Sequence, residues 1–212
     1  VVAETTADIR NVTAQVTFQT TDLSNTIDVA GTLKANASSL DNAVVTGSGT
    51  VEVYGLEADS AVDLSDVGAQ DPDDLTVTAI ITADTVLSDE LAAHFATIDS
   101  YVVNDAVTLT LNAAQANGAT VVDADSAEGQ LTVVGLVDGA IVDGGTDLTN
   151  VTVTGTITVE VTGESDISEN TSLLGVDTFH VADGGVLIMT AEQADRSSVV
   201  ANGVDHTGAV VI

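Results

Sequence analysis

Hydrophobic and polar positions alternate with period two through much of this chain. The clearest run is VTVTGTITVEVT, Val151 to Thr162. Val151, Val153, Gly155, Ile157, Val159 and Val161 fall on one side, and Thr152, Thr154, Thr156, Thr158, Glu160 and Thr162 on the other. Strict alternation of β-branched residues predicts a half-buried strand, about 40 Å long at roughly 3.3 Å per residue. VTAQVTF (Val12–Phe18) and LTVTAIIT (Leu75–Thr82) repeat the pattern less strictly. Strands are also predicted over Ser100–Val103, Val107–Leu111, Val121–Val122 and Val186–Met189. Two stretches read as helical. In SDELAAHFA (Ser88–Ala96), Ser88 can cap while Asp89 and Glu90 suit the first turn. In Ala113–Ala116, alanines favour one turn, ended by Asn117-Gly118.

The pattern also repeats on a longer scale. LTLNAAQANG (Leu109–Gly118) returns as LIMTAEQADR (Leu187–Arg196), 78 positions from Leu109 to Leu187, and is foreshadowed by LKANASSLDN (Leu33–Asn42). Around these decapeptides, Asp99 aligns with Asp177 and Tyr101 with Phe179. DIRNVTAQVTF (Asp8–Phe18) aligns with DLTNVTVTGTI (Asp147–Ile157), DLSDV (Asp63–Val67) begins the same way, and VEVYGL (Val51–Leu56) aligns with LTVVGL (Leu131–Leu136). Three units follow: 8–62, shortened; 63–146; and 147–212, incomplete. GAQDPDD and DADSAEG read as loop insertions. No nucleophile, base or metal cluster is common to the three decapeptides. They therefore read as a structural corner, a strand entering a tight Ala-rich turn, carried by Leu33, Leu109, Ala113, Gln115, Leu187, Ala191 and Gln193.

Composition narrows the function classes. Of 212 residues, 33 are acidic and three basic (Arg10, Lys34, Arg196), a formal charge of -30. Binding to nucleic acid needs many Lys and Arg, and an anionic membrane surface makes the same demand. Both are excluded as partners. Self-repulsion at this charge weakens the compact state, so salt or divalent cations should strengthen it. Aromatic residues make up 2% and Cys is absent. The core must then consist of small aliphatic contacts without disulfides. No apolar run approaches a membrane span. The opening VVAETTADIR lacks the basic and apolar regions of a signal peptide.

The phrases AVTLTLNAAQANG (Ala106–Gly118), GTVEVYGL (Gly49–Leu56) and AVDLSDV (Ala61–Val67) resemble those of the large "beta strand repeat" surface proteins of bacteria, over most of the chain. The resemblance implies a secreted, calcium-rich S-layer or adhesin polypeptide, exported without a cleaved N-terminal signal. It implies a structural role and no catalytic residue.

Calcium takes six to eight oxygen ligands, which Asp-rich loops can supply. The candidate ligands are Asp71, Asp73 and Asp74; Asp123, Asp125 and Glu128; and Asp138, Asp143 and Asp147. None follows an EF-hand spacing, and a solvated acidic loop is the ordinary alternative for each. Carboxylate pairs also serve glycoside hydrolysis, but sugar-binding aromatics are scarce. The chain is expected not to be an enzyme. His94, His180 and His206 match no zinc spacing. The row Thr152, Thr154, Thr156 and Thr158 is ordinarily a matter of strand propensity, although flat Thr arrays can bind ice. Asn11, Asn36, Asn150 and Asn170 begin N-x-[ST] sequons.

The expected fold is all-β and repetitive, β-solenoid-like, with neighbouring units burying what one unit cannot. The alternative is a series of tandem Ig-like β-sandwich modules, since a unit is nearly Ig-sized. The expected function is a structural extracellular protein at the cell surface that self-assembles, with calcium as cofactor, into a surface layer or filament. A calcium-dependent adhesin or ice-binding module is the second class. The expected partners are copies of itself and cell-surface glycan.

Overall fold

The computed structural model describes residues 6–8, 26–56, 62–69, 75–87, 93–124, 128–136, 146–203, 205 and 207–212. The chain forms two compact units, 1–102 and 103–212. Both are built from short strands, and the fold is all-β with parallel sheets.

The first unit contains β1 (Thr6–Asp8), β2 (Thr26–Val29), β3 (Thr32–Asn36), the single-turn helix α1 (Ala37–Leu40), β4 (Val44–Gly47), β5 (Thr50–Tyr54), β6 (Thr76–Ile81), β7 (Thr85–Val86) and β8 (Ser100–Val103). Strands β1, β3, β5, β6 and β8 are neighbours in that order, and β2 pairs with β4. The ladders β1–β3, β3–β5, β5–β6 and β2–β4 are parallel. Partners lie 18 and 26 residues apart: Thr32 pairs with Thr50 and Thr50 with Thr76. Period-two alternation then converts sequence into columns. Leu33, Val51 and Val77 stack in register on the buried side, as do Ala35, Val53 and Ala79. Burying a Val or Leu side chain contributes about 1.5–3 kcal/mol, so columns of small aliphatics replace the missing aromatics.

The second unit contains β9 (Thr108–Asn112), α2 (Ala113–Ala116), β10 (Thr120–Asp123), β11 (Gln130–Leu136), β12 (Val151–Thr152), β13 (Ile157–Val161), β14 (Glu164–Asp166), a 3-10 turn (Thr171–Gly175), β15 (Thr178–Ala182), β16 (Val186–Ile188), α3 (Ala191–Arg196), β17 (Ser198–Asn202) and β18 (Ala209–Val211). Strands β9, β11, β13, β15 and β17 form one parallel ladder. Strands β14, β16 and β18 form another, and β10 pairs with β12. Leu111, Val133, Val159 and Phe179 make one buried column. Near its end β11 carries a bulge: Val134 and Gly135, between Val133 and Leu136, face the single residue Glu160 between Val159 and Val161. Gly135 takes φ 74° there, a left-handed conformation that glycine adopts without Cβ strain. Leu136 is thereby turned back into the core. Gly55, φ 66°, precedes buried Leu56 in the same way. This is the physical content of the repeated Gly-Leu phrase.

Three expectations are corrected. Val151–Thr162 is not one 12-residue strand: β12 ends at Thr152 and β13 begins at Ile157. Between them the chain turns a corner where the Gly155 amide donates to the Gly129 carbonyl at 3.2 Å. A Cβ on Gly155 would stand 2.4 Å from that oxygen. Glycine inside an alternating run marks close backbone approach here rather than strand interior. Consequently Thr152, Thr154, Thr156 and Thr158 do not form one row along a strand. The hydroxyl rank runs across strands instead, through Thr110, Thr132, Thr158, Thr178 and Ser198. Ig-like sandwiches are antiparallel, so the parallel ladders rule out the tandem-sandwich alternative. Of Ser88–Ala96, residues 93–95 form a 3-10 turn and 88–92 lie outside the described residues, as does the strand predicted over Val12–Phe18.

Replacing Gly155 by Ala should destabilise the chain by about 1–3 kcal/mol, the usual range for overpacking. Gly175→Ala, with nothing within 4 Å of an added Cβ, should change stability by no more than about 0.5 kcal/mol. Urea unfolding of both variants checks the difference.

Candidate functional site: the repeated corner and its carboxylates

Each decapeptide is a strand that runs directly into a short helix: β3 into α1, β9 into α2, and β16 across Met189 and Thr190 into α3. Leu33, Leu109 and Leu187 are buried in the strands. In the second copy the Asn112 side chain accepts from the Gln115 amide at 2.8 Å, and Gln115 Oε1 accepts from the Asn112 amide at 2.9 Å. In the third, Thr190 and Gln193 make the same reciprocal pair, with the Thr190 amide 2.7 Å from Gln193 Oε1. Such capping boxes satisfy two orphan donors of a helix start, which lets a helix of one or two turns end a strand. The first copy has Ser39 where the others have Gln, and Asn36 makes no side-chain cap bond. Ala113 and Ala191 occupy the first helical position, the one half-buried and the other exposed.

The corner exit is also duplicated. Asn42 and Gly118 both have positive φ, 53° and 72°. The Asn42 amide donates to the Asp63 carbonyl at 2.9 Å, while Asp41 Oδ1 accepts from the Asp63 amide at 2.9 Å. Correspondingly, the Gly118 amide donates to the Asp147 carbonyl at 2.8 Å, and Asn117 Oδ1 accepts from the Asp147 amide at 2.9 Å. The decapeptide end therefore holds the start of the next D-L-[ST] phrase through both backbone groups of one residue. The third copy departs from this: α3 continues to Arg196, and Gln193 Nε2 instead donates to the carbonyls of Ile167 at 2.7 Å and Asn170 at 3.0 Å. Gln115 Nε2 is buried without a partner among the described residues.

Carboxylates carry much of the remaining bracing. Asp99 Oδ2 accepts from the Val77 amide at 2.7 Å, and its aligned partner Asp177 Oδ2 accepts from the Ile157 amide at 2.8 Å. Asp105 Oδ1 accepts from the Glu128 amide at 3.3 Å; Asp183 accepts from the Asp205 and Thr207 amides, each at 3.1 Å. Asp63, Asp147 and Asp166 each open a D-[LI]-[ST] turn by accepting from the amide two residues on, at 2.9, 2.9 and 3.0 Å. The hydroxyls of Ser65, Thr149 and Ser168, with those same amides, hold the three carboxyls below the usual Asp range. Lys34 reaches across the ladder to Glu52 at 2.8 Å, and the Tyr54 hydroxyl donates to the same carboxylate at 2.6 Å.

Of the nine candidate calcium ligands, Asp71, Asp73, Asp74, Asp125, Asp138 and Asp143 lie outside the described residues. Asp123 is engaged with backbone: Oδ1 accepts from the Gly129 amide at 3.0 Å, and Oδ2 from the Thr154 amide and hydroxyl at 2.7 and 2.6 Å. Asp147 is held by its own turn, and Glu128 contributes an amide to Asp105. Among the described residues no group of three His, Asp or Glu side chains is placed to hold a metal ion. His94 Nε2 stands 3.9 Å from Asp63 Oδ2, His180 faces Glu160 across β13 and β15, and His206 lies outside the described residues. Sequence reading missed the bracing role of Asp99, Asp105, Asp177 and Asp183. Its signal was present in the alignment of Asp99 with Asp177. No family model, curated protein or solved structure matches the chain.

Gln193→Ala should cost about 1–3 kcal/mol, because two carbonyls lose a donor in a buried place. Thermal unfolding of the variant measures it. The lowered carboxyls of Asp63, Asp147 and Asp166 stabilise the fold above the unfolded Asp pKa, about 3.9, and that contribution is lost as pH falls through the folded values. A triple Asp→Asn variant keeps the acceptors without the titration. Its stability should fall less steeply than that of the parent below about pH 4, as an acid titration followed by circular dichroism would record.

Proposed function

We propose that this chain is a structural protein of the cell exterior, a segment of a surface layer or filament, with a β-solenoid architecture. The observation that carries the reading is the recurrence of one bonding scheme along parallel ladders. Asp99 and Asp177, Asp105 and Asp183, and the Asn112–Gln115 and Thr190–Gln193 boxes each bind equivalent partners about one repeat apart. Thr85 and Ser165 likewise donate to the carbonyls of Leu56 and Leu136. In a solenoid each rung covers the next, so stability grows by neighbour contacts and the product is a long regular surface. The residues that recur are those that hold rungs together, which supports a building material over a reaction centre. The likeness of its phrases to beta strand repeat surface proteins supports the same reading, and we assign the chain no catalytic activity.

At a charge of -30, packing copies side by side requires counterions. Calcium bound by the acidic residues Asp71, Asp73 and Asp74, and by Asp138 and Asp143, would bridge neighbours. Electron microscopy in calcium should reveal fibres or lattices that EDTA disperses, with a melting temperature higher in calcium than in EDTA. Monodisperse particles under both conditions would contradict the assembly reading and leave a calcium-dependent adhesin, with cell-surface glycan as its ligand. One observation favours the ice-binding alternative: the cross-strand rank of Thr110, Thr132, Thr158, Thr178 and Ser198. Its hydroxyls repeat at the strand spacing of about 4.8 Å. Thermal hysteresis of the purified protein would support that reading, and its absence would remove it.

A further inference from the structure

Asn117 and Gly118 end the second corner, and both are exposed. Asparagine is a thermolabile residue, and most so before glycine. The glycine nitrogen attacks the carboxamide carbon, and no Cβ obstructs its approach. Of the ten asparagines in the chain, eight precede a residue with a side chain; only Asn117 and Asn202 precede glycine. Gly118 has φ 72°, and an added Cβ would meet nothing within 4 Å, so its surroundings leave the nitrogen open.

Two bonds to a single residue hold the reacting atoms apart. The Gly118 amide donates to the Asp147 carbonyl at 2.8 Å, and Asn117 Oδ1 accepts from the Asp147 amide at 2.9 Å. With Asn117 at φ -63° and ψ 110°, the Gly118 nitrogen is turned away from the side chain it would attack. Ring closure needs rotation about that ψ, which breaks the bond from Gly118. The first corner shows what the product would look like. Asp41 stands there in the place of Asn117, and its Oδ1 accepts from the Asp63 amide at the same 2.9 Å. The Asn42 amide donates to the Asp63 carbonyl, again at 2.9 Å. A carboxylate at this position is therefore compatible with both bonds.

We propose that Asn117 is a site of spontaneous deamidation, gated by release of Asn117 and Gly118 from Asp147, which converts the second corner to the carboxylate form already built into the first. The step balances with water alone. The Gly118 nitrogen forms a bond to Asn117 Cγ, the Cγ–Nδ2 bond breaks, and ammonia leaves with the proton of the Gly118 amide. Water then opens the five-membered imide. Breaking the new Cγ–N bond leaves an aspartate in an intact main chain, which re-forms both bonds to Asp147 as Asp41 does to Asp63. Breaking the original C–N bond leaves isoaspartate. That product inserts an extra carbon before the Gly118 amide and puts the two bonds out of register.

The test is incubation of the folded 212-residue chain in mildly alkaline buffer, beside the same chain in urea, followed by peptide-mapping mass spectrometry. Conversion of the Asn117 amide to acid is expected in the folded chain, between about tenfold and a hundredfold more slowly than in urea, the range of a local opening. Solvent exchange of the Gly118 amide hydrogen, which needs the same release, should be slowed by a comparable factor. An Asn117→Asp variant should keep the parent's circular dichroism and melting temperature, whereas Asn117→Ala should melt lower. Conversion as fast in the folded chain as in urea overturns the gate. Asn117 intact in the folded chain after more than about a hundred times the period that suffices in urea overturns the site. An Asn117→Asp variant that melts as low as Asn117→Ala overturns the equivalence of the two corners.

Discussion

The in-register parallel ladder is the interaction on which the rest of the molecule depends. Parallel pairing sets each strand beside one from earlier in the chain, so a period-two pattern in sequence becomes a column of like residues in space. Leu111, Val133, Val159 and Phe179 form such a column inside, and Thr110, Thr132, Thr158 and Thr178 form another on the opposite face. A slip of one residue would exchange the two columns and send a row of hydroxyls into the core. The cost is shared by every circuit, which makes the register cooperative although no single contact is large.

Register needs fixed points, and side chains at the corners supply them. Asp99, Asp177, Asp105 and Asp183 each reach an amide of a neighbouring circuit. Asp41 and Asn117 hold the start of the next D-L-[ST] phrase. An acceptor that binds a defined amide in a neighbouring strand fixes where that strand begins. It also tolerates insertions elsewhere, since a long loop closes at little extra entropy. Part of the acidity therefore has a structural use, since these carboxylates accept backbone N–H groups of residues distant in the sequence.

Local signals in the sequence were faithful where chemistry was local. The Ala-rich decapeptides fold into strand-to-helix corners because Asn112 with Gln115, and Thr190 with Gln193, complete their caps within four residues. The strands over Ser100–Val103 and Val186–Ile188 follow from short apolar runs. What escaped depended on circuits meeting. Alternation continues through Thr152–Ile157 although the chain turns there; only Gly155, pressed against Gly129, marks the break. Asp123 looks like a calcium ligand by spacing, yet its partners Gly129 and Thr154 are set by the fold. The choice between parallel and antiparallel pairing is likewise invisible in a single strand, and for that reason the alternation alone was compatible with an Ig-like sandwich.

The stacking order of one ladder underlies every conclusion above, and a distance measures it most directly. Nitroxide labels at Thr110 and Ser198 are 88 residues apart in sequence, from 110 to 198. Four parallel steps through Thr132, Thr158 and Thr178 connect them. At about 4.8 Å per step their backbones lie about 19 Å apart. Pulsed electron paramagnetic resonance should give a single narrow distribution near that value. A broad distribution, or a separation of about twice that distance, would contradict the ladder and everything built upon it.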